Sequence, residues 1–115
     1  MVRAPKQAPA PLDPETLKKF LGRATELHGQ GRFNEAAQLY EHVRACNPEV
    51  LAAPYFLALM DIEAGYLERA LEDLRFVTRK DPGSFEAVFA LGHAFEGLGQ
   101  WQQAANAYRR AWTVK

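Results

Sequence analysis

Residues 91–111 read LGHAFEGLGQWQQAANAYRRA, and the pattern inside this stretch recurs along the chain. Gly99 is in phase with Gly65 and Gly31 at a spacing of 34 residues. Ala104 follows Ala70 and Ala36, Tyr108 follows Leu74 and Tyr40, and Ala111 follows Val77 and Val43. Pro82 follows Pro48 at the same spacing. Self-similarity at this period is the mark of a stacked helical array, in which each unit buries its apolar face on its neighbour.

Working outward, each repeat reads as two helices around a tight turn. Asp13-Pro14-Glu15 carries the start signals of the first helix: a capping carboxylate, a proline suited to the first position, and an acid at the positive end. Phe20, Ala24 and Leu27 mark its apolar face at helical spacing, and Gly29 and Gly31 end it. A second helix spans about Asn34 to Cys46, with Ala36, Ala37, Leu39, Tyr40 and Val43 turned inward, until Asn47-Pro48 breaks it. Further helices are predicted over 51–64, 67–80, 85–98 and from Trp101 onward, with Ser84 capping the fifth. The alanine columns let helix backbones approach closely. The glycine columns supply the left-handed conformation that follows many helices.

The bulk properties narrow the function class. The 115 residues are one small domain's worth of chain, 48% hydrophobic and 24% charged, with a formal net charge of zero. Such a balance gives no strong pull on nucleic acid or an anionic membrane surface. The one cysteine, Cys46, fits a reducing compartment, and a cytoplasmic location is expected. Residues 1–12 carry three prolines among small and polar residues, which reads as a flexible tail and as neither a secretory signal nor a membrane anchor. Membrane insertion is not expected.

The in-phase residues resemble the tetratricopeptide-repeat family, whose repeat runs through an aromatic opening, Leu-Gly, an aromatic, then Ala, Phe or Tyr, Ala and Pro. Leu91-Gly92, Phe95, Gly99, Trp101, Ala104, Tyr108 and Ala111 carry the likeness best. The resemblance implies an all-α, right-handed superhelical α-solenoid over residues 13–115, with repeats at 17–50, 51–84 and 85–115. Three residues depart from the pattern. Arg23 replaces a leucine, Asp61 an aromatic, and Pro54 the opening aromatic of the second repeat. Pro54 is tolerable in a helix's first turn. Arg23 and Asp61 occupy inner positions of neighbouring first helices and are expected to lie near one another.

The resemblance also implies where a ligand binds: a concave groove lined by the first helix of each repeat. By register its residues here are Lys18, Leu21, Thr25 and His28, then Tyr55, Leu59 and Ile62, then Glu86, Phe89, His93 and Glu96. Phe56 lies at the edge. The apolar share is high for a solvated face, so the expected ligand is a protein segment with apolar anchors, extended or helical. Family members that grip chaperone C-terminal carboxylates use a clamp of Lys, Arg and Asn. The matching positions here hold Leu21, Thr25, Phe56, Glu86 and Ala90, so that clamp is not expected. Trp112 and Val114 fall where the family places apolar residues, and they are candidates for self-association or for contact with a further repeat.

Features that suggest chemistry are sparse. His42 and Cys46 are four apart on one helix, a metal-ligand spacing with no third ligand nearby, so no metal or cofactor is expected. Arg75, Arg79, Lys80, Arg109 and Arg110 are interspersed with Glu68, Glu72 and Asp73, as on a solvated face. No phosphate loop, nucleophile elbow or carboxylate pair is present. The reading is a non-catalytic protein-interaction module or scaffold. Two alternatives remain: an N-terminal repeat region of a larger bacterial-type enzyme such as a transferase, and a chaperone similar to those of type III secretion translocators.

Overall fold

The computed structural model describes residues 9–114, so most of the expected tail and Lys115 lie outside the described residues. All regular structure among the described residues is helical: α1 (Pro14–Gly29), α2 (Phe33–Cys46), α3 (Ala52–Ala64), α4 (Leu67–Lys80), α5 (Phe85–Gly97) and α6 (Trp101–Val114). These are the six helices expected, paired α1–α2, α3–α4 and α5–α6.

The start and stop chemistry acts where the residues indicate. The Asp13 carboxylate accepts a 2.8 Å hydrogen bond from the Thr16 amide, and this holds its pKa below the usual carboxylate value. Ser84 Oγ accepts from the Ala87 amide at 3.2 Å. Between the two helices of each pair the chain reverses through a glycine at positive φ: Gly31 (77°), Gly65 (89°) and Gly99 (74°). A side chain in that conformation would crowd the following carbonyl, which is why one residue type recurs there.

The chain divides into two compact units, Met1–Ala53 and Pro54–Lys115. In the first, α1 and α2 bury Ala24 and Leu27 against Ala36, Tyr40, Val43 and Cys46. Leu12, the last residue of the expected tail, is tied down: its amide donates to Asn47 Oδ1 at 2.9 Å, and its carbonyl accepts from Asn47 Nδ2 at 3.2 Å.

In the second unit Ala58, Leu71, Leu74, Leu91, Ala94, Phe95 and Ala107 form one core cluster, with Tyr55, Leu59, Ile62 and Tyr108 packed on it half-buried. Pro54 is fully buried three residues into α3, where the first amides of a helix have no intrahelical acceptor.

Arg23 and Asp61, expected to lie near one another, fall in different units, and each has a partner within its own. Asp61 receives a bidentate pair of hydrogen bonds from Arg69, at 2.8 and 3.1 Å, and that guanidinium also lies over the Tyr66 ring at 4.7 Å. Arg23 is beside Glu26 on its own helix at 3.7 Å. A planar guanidinium on the next helix satisfies both oxygens of Asp61, so the carboxylate needs no other cation.

Candidate functional site

Tyr55, Leu59 and Ile62 recur along one face of α3 and pack half-exposed on the core built by α4, α5 and α6. Beside them α5 presents Glu86, Phe89, His93 and Glu96, spaced as one exposed helical face. Burial first, and then the nearby Glu86 carboxylate, push the Tyr55 phenol pKa up. Of the residues predicted for the groove, these seven are therefore brought together within one unit. Phe56 meets Tyr55 edge-on at 5.2 Å.

Phe89 is the centre of an aromatic run. It stacks on Phe85 at 5.6 Å between centroids, and it lies 4.7 Å from the His93 ring and 5.3 Å from Tyr108. It nevertheless remains 40% exposed. The Tyr108 hydroxyl donates a 2.6 Å hydrogen bond to Glu96 Oε1. Partial burial and that carboxylate raise its pKa to about 12. The bond fixes Glu96 and Tyr108 as one rim of the face.

Two members of this run, Phe85 and Tyr108, were not among the predicted site residues. Tyr108 belongs to a second helix, and by its column it reads as core, as Tyr40 is. The signal that separates them is Gly92. An added Cβ there would fall 2.5 Å from Tyr108 Cε1, so glycine is what lets the ring lie against α5. The in-phase residue beside Tyr40 is Ala24.

The predicted residues of α1 form a set of their own in the first unit. Lys18, Leu21 and Thr25 line a shallow, open and largely apolar hollow of about 460 Å³ together with Pro14, Leu17 and Gly22. The Thr25 hydroxyl is engaged, bonded to the Leu21 carbonyl at 2.9 Å and 3.2 Å from the Tyr40 hydroxyl. His28 meets the Phe33 ring edge-on at 5.4 Å. Of the clamp positions, Ala90 is buried and presents nothing to a ligand.

At the other end of the chain Trp112 is 72% exposed, whereas Val114 is half-buried on the side of Ala107 and Ala111. His42 Nε2 and Cys46 Sγ are 3.6 Å apart, with the His42 ring against Phe20. Among the described residues no three His, Cys, Asp or Glu side chains are grouped to hold a metal ion, and no helix is long and apolar enough to cross a membrane.

The family model for the tetratricopeptide repeat matches residues 87–114, almost the whole of α5 and α6. No curated protein matches the sequence. Two of the solved structures that share the fold are TPR domains of one protein. The second TPR of Spaghetti (RPAP3), bound to HSP90 peptide SRMEEVD, has a TM-score of 0.81 at 17% identity, with 86% of this chain and 92% of that one covered. The first TPR of the same protein, bound to the same peptide, has a TM-score of 0.84 at 17% identity, with 90% and 82% covered. At this identity the likeness concerns the path of the chain, not its surface.

Proposed function

We propose that the chain is built as three tetratricopeptide helix pairs and is a non-catalytic protein-interaction module whose working surface is the α3–α5 face of the second unit. The observation that carries this reading is Phe89. A large ring surrounded by three other aromatic side chains could be core, yet it stands 40% open to water beside half-buried Tyr55, Leu59 and Ile62. Contiguous exposed apolar surface of this kind marks contact sites. The hollow at Lys18, Leu21 and Thr25 on α1, with His28 one turn on, is a second contact set.

Charge selects the partner segment. The acidic residues among these α3–α5 positions are Glu86 and Glu96, and none of the positions holds Lys or Arg. A segment with apolar anchors flanked by Lys or Arg complements them, and carboxylates do not. The peptide held by the two structural neighbours, SRMEEVD, has three acidic residues against one basic. We therefore infer a ligand of opposite charge for this face. Buried, unpaired Cys46 supports a reducing interior, and we place the module in the cytoplasm.

The test is a fluorescence-polarisation titration with two peptides that share apolar anchors and differ in Lys or Glu flanks. Wild type should prefer the Lys peptide, and Phe89→Ala should weaken both by about tenfold, as expected on losing an aromatic anchor. Glu86→Lys/Glu96→Lys should invert the preference. Equal binding of the two peptides by wild type, or indifference to Phe89→Ala, rejects the reading.

A further inference from the structure

The second unit shows how this chain seats a guanidinium. Arg69 lies 4.7 Å over the Tyr66 ring and donates to both oxygens of Asp61, at 2.8 and 3.1 Å. A ring takes the face of the group, and a carboxylate takes its edge.

On α5 the same two parts stand together without a cation. Phe89 is 40% exposed, and Glu86, one turn before it, is its neighbour on the same exposed face. Burial and then the Glu86 charge raise the Tyr55 phenol pKa, so an α3 ring also lies near that carboxylate. Among the described residues Glu86 has no hydrogen-bond or ion-pair partner. Glu96, at the other end of the face, is already engaged by the Tyr108 hydroxyl at 2.6 Å.

Charge alone does not choose an occupant here. A lysine would satisfy Glu86, and an apolar side chain would cover Phe89. A guanidinium does both with one group, because it is planar and donates along its edge while its face lies on a ring. It is also more weakly hydrated than an ammonium, so a half-apolar face costs it less. His93 lies on the other side of Phe89, with its ring centroid 4.7 Å away. At about pH 8 histidine is predominantly neutral, and its ring then extends the aromatic surface without competing for Glu86.

We propose that Phe89 and Glu86 form a seat for one arginine side chain of the partner segment, its guanidinium stacked on the ring and bonded to the carboxylate. This rests on the reading of the α3–α5 face as the working surface, and it adds which residue of the segment meets Phe89. The apolar anchors of the segment then fall to Tyr55, Leu59 and Ile62, half-buried on α3.

The experiment is fluorescence polarisation at about pH 8 with four labelled peptides. They share leucine anchors and differ at one position, which holds arginine, lysine, citrulline or glutamate. The arginine peptide should bind about fivefold or more tighter than the lysine peptide, and tighter again than the one with citrulline, which keeps the shape without the charge. Phe89→Leu keeps apolar bulk and removes the ring. It should abolish the preference for arginine over lysine and leave lysine above glutamate. Glu86→Gln should shrink the arginine-to-citrulline ratio by about fivefold, and Glu96→Gln should shrink it less. All three positions are exposed, and circular dichroism checks that the variants stay folded. Arginine and lysine bound alike, both above glutamate, overturns the arginine seat and leaves the working surface standing. An arginine preference that survives Phe89→Leu, or a ratio indifferent to Glu86→Gln, also overturns the seat. Four peptides bound alike reject the surface itself, and the seat with it.

Discussion

Asn47 holds Leu12 by both of its backbone groups, one hydrogen bond in each direction across 35 residues of sequence. Asn47 is itself buried at the end of α2. A carboxamide is the side chain that offers a donor and an acceptor side by side, so it pairs with a peptide unit much as a neighbouring strand would. Asn47→Leu should lower the stability of the chain by about 1–3 kcal/mol, the cost of leaving partly buried backbone groups unsatisfied. Urea denaturation measures the loss, and limited proteolysis should show earlier cleavage ahead of Asp13. An unchanged midpoint would mean that water replaces the side chain at no cost.

Gly92 and Tyr108 make a second pair. Gly92→Ala places a methyl carbon 2.5 Å from the Tyr108 ring and should cost about 1–3 kcal/mol through overpacking. Repeat two has Ala58 and Leu74 at the equivalent positions. Gly92→Ala/Tyr108→Leu should therefore recover part of the loss, and a double-mutant cycle would read the coupling. Additive effects would show that the ring moves aside freely.

Tyr108 should also leave a mark at high pH. Its folded pKa is raised to about 12 from the ordinary value near 10, by burial and by the bond to Glu96. A raised pKa stabilises the fold fully below the unfolded value. That contribution falls between pH about 10 and 12, where the unfolded phenol ionises first. Chemical denaturation across this window should show wild type losing stability relative to Tyr108→Phe. Phenolate absorbance of the native protein should contain a late component that the variant lacks.

The three positive-φ glycines predict the simplest result. Gly65→Ala meets no neighbouring atom, so its penalty is conformational alone, about 1–2 kcal/mol. Gly22→Ala also meets nothing but lies inside α1, where alanine is the better helix former, and it should stabilise by up to about 1 kcal/mol. Thermal melts of the two variants should move in opposite directions.

What could be read in advance was what is local or periodic. Asp13 and Ser84 cap the helices they precede, and Gly31, Gly65 and Gly99 turn the chain where their column places them, because each depends on a few adjacent residues. Contacts that depend on which rotamer reaches which neighbour were not legible. Asp61 reads as a charge in search of a partner, yet nothing local marks Arg69 as that partner. Asn47 reads only as the residue before a proline, and its bonds to Leu12 depend on two distant segments meeting. Tyr108 reads as a core column residue, because the in-phase Tyr40 is fully buried and turns its hydroxyl to Thr25.

Helices pack on their sequence neighbours, α1 on α2, α4 on α5 and α5 on α6. Loop-closure entropy is small for such contacts, so folding should be rapid and able to begin in any pair. Amide exchange should then follow a gradient along the chain instead of one global rate, slowest around Leu74 and Leu91, where the second unit's core is fullest. Damage to one helix pair should be confined largely to that pair, a tolerance that lets surface positions change while the scaffold persists.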